Sequence, residues 1–424
     1  MSAASFGPAQ DPGSARASAS GPNDPPVVTV ELGAPPAREA LEHEWRALEA
    51  RSDGSFFISW TWIGAWLAAL DGAVELVLLR ASIEGRCVGL GLLAPQRTRR
   101  RGIISSQTLH LHATGRAEFD SLTIECNGFL VEQQHAALIT ARMYEHLGGP
   151  DVSWDELVLD GLVEMPRLPL GAGKLGCRVR VEMNHHVDLA LVRARQGDYI
   201  GLLGSKTRAR IRQAQREYAK IGPLRIEAAR TEDEAQAFLD GLKWLHQSHW
   251  IGRGEPGAFA NRFFEQFHRR LIREAFSRGE VQLLAVHVGA RALGYIYSFV
   301  QRGHVYFYQC GFNYDLSERY NQPGLVCLAA AIEFYAAHGM RVFDLLAGDT
   351  QYKQRLGTHA ATLFWATLQR ERLTFRLENA AREVRAGLRN WVTVPGSEEF
   401  TDGEMSRSAS GPARAASPRR QAAA

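Results

Sequence analysis

The segment FDLLAGDTQYKQRLG places an acid, Asp344, in an apolar run that reads as a strand, with Gly348 at its end. Tyr352 and Lys353 follow on a polar stretch expected to be irregular. Open α/β sheets gather their functional groups at the carboxyl ends of strands, so these side chains could move a proton or meet a negative charge. A solvated turn would have the same composition. Just upstream, Gln322-Pro323-Gly324 opens the apolar run LVCLAAAIEFYAAHG. Proline suits a first helical turn, where its missing N–H has no partner in any case. Gly324 lets a ligand or another backbone come close, and a helix N-terminus directs free N–H groups at an anion. An ordinary helix start is the alternative.

Other spacings carry less. Arg208, Arg212, Arg216 and Lys220 recur every fourth residue and form one helical stripe, with Ile211, Ala214, Tyr218 and Ile221 on the buried side. The stripe suits a polyphosphate or RNA backbone, and equally a solvated face. His246 and His249 stand three apart on an expected helix without a third marked ligand, so no metal is expected. GAGKLG at 171–176 lacks phosphate-loop spacing, Gly89-Leu90-Gly91 is no dinucleotide fingerprint, and no G-x-S-x-G elbow occurs.

The elements that must position these groups recur. LLRASIEGRCVGLGLLAPQ from Leu78 and LLAVHVGARALGYIYSFVQ from Leu283 align without a gap, matching Arg86 with Arg291 and Gly89 with Gly294. Each reads as strand, tight turn, strand. After the first come TLHLHA and SLTIEC as expected strands, a helix over about 131–147, and the strand ELVLDGL. After the second come the strand HVYFYQCG, a helix over about 323–338, and the strand RVFDLLAG. Helical segments open both halves: LEHEWRALEA and Trp60–Leu70 in the first, Lys206–Lys220 and Glu232–Trp250 in the second. The expectation is a mixed α/β sheet protein of two similar modules, 27–183 and 184–390.

Length agrees: 424 residues, 45% hydrophobic and 22% charged, suffice for two or three domains and exclude a wholly disordered chain. Residues 1–26 and 395–424 are Ala/Ser/Gly/Pro-rich and read as disordered tails, the second one basic. The net charge of +3 does not by itself mark a nucleic-acid protein. Five scattered cysteines without a CxxC pair fit buried thiols in a reducing compartment. No apolar run is long enough for a membrane span and no secretory h-region opens the chain, so a cytoplasmic protein is expected.

Taken together, these segments resemble the acyl-CoA N-acyltransferase (GNAT) superfamily, in particular its CelD/BioF-type acetyltransferase family. GDYIGLLGSKTRARIRQAQREY resembles that family's opening segment, SHWIGRGEPGAFAN its His-x-x-Trp and Gly-x-Phe stretch, and YIYSFVQRGHVYFYQCGFN its central strand pair. RYNQPGLVCLAAAIEFYAAHGMRVFDLLAGDTQYKQRLG resembles the closing signature, and FFISWTWIGAWLAAL the N-terminal Trp-rich segment.

The resemblance implies two tandem GNAT-like modules and transfer of an acyl group from acetyl-CoA or another acyl-CoA to an amine. The acceptor would be a small molecule or saccharide, such as an amino sugar or an envelope polysaccharide precursor. It implies acyl-CoA in a splay between the strands at 292–301 and 304–311, held by Gln309, Gly311, Phe312, Arg319, Gln322 and Gly324. Tyr352 would be the general acid, Lys353 would bind phosphate or stabilise charge, and Asp344 would orient either one. Trp250, Arg253 and Phe259 would face the acceptor. Fem-type aminoacyltransferases share the fold and draw on aminoacyl-tRNA, so tRNA is a partner only under that alternative. A non-catalytic binding module of the same fold is the other.

Overall fold

The computed structural model describes residues 25–100, 104–166, 175–316, 322–372 and 375. The expected tails fall outside these apart from residues 25 and 26, as do Arg319 and residues 376–390 of the second expected module. The first half holds strands β1 (Thr29–Gly33), β2 (Val77–Ile83), β3 (Arg86–Arg100), β4 (Ile104–Leu111), β5 (Leu130–Val131) and β6 (Glu156–Leu162). Its helices are α1 (Arg38–Glu49), α2 (Trp60–Leu70) and α3 (Ala136–Gly148). Strand β7 (Leu175–Asp188) leads into β8 (Leu224–Ala228), β9 (Val281–Val288), β10 (Arg291–Gln301), β11 (His304–Phe312), β12 (Val342–Ala347) and β13 (His359–Arg370). The helices there are α4 (Leu189–Ala194), α5 (Ser205–Ala219), α6 (Glu232–Gly252), α7 (Arg262–Ala275), α8 (Pro323–Ala337) and α9 (Gln351–Leu356).

Local chemistry fixes the helix starts. Ser59 accepts from the Trp62 N–H, Thr231 from Glu234 N–H and Asn261 from Phe263 N–H, satisfying donors that a first turn leaves free. Both hairpins read from the sequence are present, Ile83 facing Arg86 and Val288 facing Arg291 across their turns.

One mixed sheet runs through the molecule in the order β1-β2-β3-β4-β6-β13-β7-β12-β11-β10-β9-β8, with β5 beside β3. In each half a short parallel pair follows the hairpin: β4 with β6 over Thr108–His110, and β11 with β12 over His304–Tyr306. A helix, α3 or α8, makes each crossover, as parallel pairing requires. The boundary expected at 183/184 lies inside β7. That strand pairs with β12, β13 pairs with β6, and β7 and β13 pair with each other from His359–His186 to Arg370–Leu175. The halves are thus stitched through exchanged strands rather than joined by a linker.

A shared core reinforces this. Trp62 of α2 packs edge-on against Phe267 of α7 at 4.8 Å, and Phe56 stacks on Phe299 of β10 at 4.5 Å. Such pairs add about 0.5–1.5 kcal/mol each beyond their burial. The opposite face of β9–β12 is closed by α4, α5, α8 and α9.

Three expectations are corrected. SLTIEC is not a strand but part of an irregular loop, because its backbone turns to side chains, the Thr123 N–H donating to Tyr308 Oη and the Cys126 carbonyl accepting from Ser55 Oγ, instead of to a neighbouring strand. The helix expected from 131 starts at Ala136, since Leu130–Val131 pairs with β3. Cys177 is exposed on β7 and Cys126 only partly buried, whereas Cys87, Cys310 and Cys327 are buried. Among the described residues no helix is long and apolar enough to cross a membrane.

Candidate active site

Strands β11 and β12 stay paired only from His304–Val342 to Tyr306–Asp344. Beyond that point the strands no longer pair, and the backbone of β12 finds other partners. The splay expected between β10 and β11 is therefore misplaced. Those two strands pair from Gly294–Phe312 to Gln301–His304, broken only by a bulge between Tyr297 and Ser298 that leaves Tyr308 opposite no residue. A tight hairpin turn zips its strands, whereas a parallel pair tied by a helix is free to diverge.

The divergence starts at a strained residue. Leu346 has φ +61°, a conformation costing about 1–3 kcal/mol for a non-glycine residue. Asp344 holds it there: its Oδ1 accepts from the Leu346 N–H at 2.8 Å, while its Oδ2 accepts from Asn184 Nδ2 at 3.2 Å and His304 Nε2 at 3.0 Å. Lys353, on α9, reaches back so that its Nζ donates to the carbonyls of Leu346 at 3.0 Å and Ala347 at 2.5 Å. The Ala347 N–H donates to Glu125 Oε2. Glu125, Asp344 and Lys353 are all buried.

Burial sets the electrostatics. It pushes the Glu125 carboxyl up to about 7, an effect that the Lys353 charge partly opposes. It likewise pulls the Lys353 ammonium down to about 8, against the attraction of Glu125 and Asp344. An acid and an amine thus titrate near neutrality, the condition that proton transfer favours. Cys310, beside Lys353, is pushed up to about 12 by burial and stays a thiol.

Glu125 comes from the first half, on the irregular loop that SLTIEC forms. The loop is tied down at several points. Asn127 Oδ1 accepts from His112 Nδ1 at 2.9 Å, and its Nδ2 donates to the carbonyls of Leu111 and Asp160. Ser55 Oγ donates to the Cys126 carbonyl at 2.7 Å, and the Thr123 N–H donates to Tyr308 Oη at 3.2 Å. Gly161 permits the approach, since a Cβ there would lie 2.6 Å from the Ile124 carbonyl oxygen. Cys126, like Leu346, has positive φ, +51°. Left-handed residues therefore stand on both sides of the contact between the halves. The sequence signal for Glu125 was a single carboxylate between Ile124 and Cys126 in an apolar run, which burial makes costly unless it is partnered.

The other predicted residues lie on several separate elements. Tyr352 and Lys353 lie on α9, not on an irregular polar segment; both point inward, and Tyr352 is enclosed by the core under α8. The short helix forms because Gly357 N–H closes it on the Lys353 carbonyl. Gln322 occupies the N-cap position of α8, and Pro323 and Gly324 form its first buried turn. Gln309 and Phe312 are buried on β11, Gln309 Oε1 accepting from the Cys310 N–H at 3.0 Å. Gly311 meets α6 closely: a Cβ there would sit 2.3 Å from the Leu242 carbonyl oxygen. Trp250 and Phe259 are buried around His246, at ring distances of 6.0 and 5.4 Å, while Arg253 is exposed nearby. The arginine stripe lies on α5 with Arg212 and Arg216 exposed.

One comparison with known proteins falls on the same region. Residues 205–354 match the family model for an acetyltransferase (GNAT) domain, which takes in β8–β12, α5–α8 and Lys353. No curated protein matches the chain. Among solved structures, FemX is similar at 10% identity over 79% of this chain and 96% of its own, with a TM-score of 0.46. The C-terminal domain of a putative lysylphosphatidylglycerol synthetase from Agrobacterium fabrum is similar at 10% identity, over 82% and 95%, with a TM-score of 0.46. A tandem GNAT protein from the clavulanic acid biosynthesis pathway is similar at 13% identity, over 80% and 98%, with a TM-score of 0.39.

Proposed function

We propose that this chain is an N-acyltransferase moving an acyl group, acetyl in the simplest case, from a coenzyme A thioester to an amine. The observation that carries the reading is the opening between β11 and β12, beside the first turn of α8, inside the stretch that matches an acetyltransferase (GNAT) domain. The free N–H groups of the α8 N-terminus suit a pyrophosphate, with Gln322 and Gly324 there and Arg319 in the preceding segment. Gln309, Gly311 and Phe312 would flank the acyl chain on β11. The CelD/BioF-type affiliation, the tandem-module ancestry and a saccharide acceptor are parts of the same proposal.

In this reading the amine nitrogen attacks the thioester carbonyl carbon. The C–N bond forms, the C–S bond breaks, the nitrogen loses one proton and the thiolate gains one. Glu125, with an ionisation near neutrality, accepts the proton from nitrogen. Lys353 Nζ, also near neutrality, supplies one to sulfur. Asp344 positions them by holding Leu346 left-handed, so that the two carbonyls converge on Lys353. Tyr352, enclosed in the core, anchors α9 and so orients Lys353; this replaces the acid role that the resemblance implied for it. Trp250, Arg253 and Phe259 face the acceptor.

The test is thiol release from acetyl-CoA and longer acyl-CoAs, followed with a chromogenic thiol reagent over a panel of amines that includes amino sugars. Amine-dependent release supports the reading, and release that no amine accelerates withdraws it. One observation favours a second reading: the exposed Arg212 and Arg216 on α5 would suit an aminoacyl-tRNA donor. That reading requires RNA binding that weakens steeply with salt.

A further inference from the structure

Near the C-terminus of α6, three ring nitrogens are buried and have no hydrogen-bond partner among the described residues: His246 Nε2, His249 Nε2 and Trp250 Nε1. His246 and Trp250 are only 2% and 5% exposed. A buried polar atom left unpaired costs about 1–3 kcal/mol, and three within one helical turn call for an explanation. They stand beside the C-terminal part of β11, for Gly311 abuts the His246 backbone N–H. Phe259 lies edge-on to His246, and Tyr314 stacks on His249 at 4.6 Å, so aromatic faces wall the group.

The state of each atom follows from its neighbours. Gln247 Nε2 donates to the Pro256 carbonyl at 2.9 Å, which fixes the amide so that its Oε1 faces His246 Nδ1 at 3.1 Å. An amide oxygen only accepts, so Nδ1 carries the proton and Nε2 is left with a lone pair. Burial keeps the ring neutral, pulling it down to about 4. Trp250 Nε1–H is a donor only. The two rings are 6.0 Å apart, centroid to centroid, and tilted by 44°, so an acceptor and a donor stand on neighbouring rings.

We infer that His246 and Trp250 form a recognition site for an uncharged hydroxyl on the acceptor, which gives its hydrogen to His246 Nε2 and takes one from Trp250 Nε1–H. A carboxylate would face the imidazole lone pair, and an ammonium would face the indole N–H. His249 Nε2 extends the array, which suits a molecule with several hydroxyls, of the amino-sugar or amino-polyol class. The assignment of this molecule as acceptor rests on the acyltransferase reading; the hydroxyl site itself does not.

The test follows the indole N–H resonance of Trp250, identified by its disappearance in W250F, in the full chain. Amino sugars and amino alcohols are titrated beside cyclohexylamine and propylamine, and acetyl transfer is measured in parallel. The site predicts a saturable downfield shift with at least one hydroxylated amine and none with the hydroxyl-free ones. It predicts that W250F and H246F, folded by circular dichroism, lose about tenfold or more of the preference for hydroxylated over plain amines. A saturable shift without acetyl transfer would keep the hydroxyl site and sink the acyltransferase reading. Acetyl transfer with no shift, or with equal shifts for both classes, would overturn the hydroxyl site and leave the transferase.

Discussion

Replacing Glu125 with Gln should reverse how stability responds to pH. The amide oxygen can still accept from the Ala347 N–H, so the substitution removes charge and little else. In the wild type the folded-state ionisation of Glu125 is raised to about 7, above its unfolded value of 4.5. The native state therefore takes up a proton before the unfolded chain does. That contribution is complete below the unfolded value and is lost as pH rises through about 7. In E125Q this uptake is gone. Lys353, already pulled down to about 8 by burial, then lacks the carboxylate that most favours its charged form and gives up its proton more readily. A lysine whose ionisation is lowered on folding weakens the fold as pH falls toward that value. Both changes have the same sign: the variant loses stability relative to the wild type as pH falls. Each tenfold change in proton concentration is worth about 1.4 kcal/mol per proton bound, so the gap should widen by about 3 kcal/mol between pH 7 and pH 5. Urea unfolding of both proteins across that range measures it, and groups common to both cancel in the difference. Parallel stability curves would refute the buried pairing of Glu125 and Lys353.

Other consequences follow from the same geometry. K353M should cost about 2–5 kcal/mol in urea unfolding at pH 7, because it strands the Leu346 and Ala347 carbonyls without their donor; a loss under about 1 kcal/mol would mean that water or another group serves them. G311A should destabilise by about 1–3 kcal/mol and lower Tm, since α6 must retreat from a Cβ placed 2.3 Å from the Leu242 carbonyl oxygen. With Glu125 as the base, acyl transfer should rise with pH through about 7, and E125Q should flatten that limb of the kcat/KM profile while lowering the rate about a hundredfold.

What the sequence revealed and what it hid have physical causes. Periodicity showed the two hairpins, α8 with its Pro323-Gly324 start, and Asp344 in its strand, because those patterns are local. Glu125 was hidden because SLTIEC has a strand's composition. Its backbone instead goes to Tyr308, Ser55 and a close pass by Gly161, partners far away in sequence. The pairing of β7 with β13 was equally unreadable: both strands are ordinary by themselves, and only tertiary closure places one beside the other. Lys353 and Tyr352 carry polar neighbours, so they read as a turn, although Lys353 finds its partners by turning back toward β12. The splay that the resemblance implied between β10 and β11 lies between β11 and β12 instead, since composition marks strands but not where they part.

The central claim, that an acyl-CoA lies between β11 and β12 with its pyrophosphate at the start of α8, is tested most directly by calorimetric titration with acetyl-CoA. The wild type is compared with G324W, which fills the buried first turn of α8. Low-micromolar binding that G324W abolishes, while the variant remains folded by circular dichroism, is the predicted result. No binding at millimolar acyl-CoA, or undiminished binding by a folded G324W protein, would contradict it.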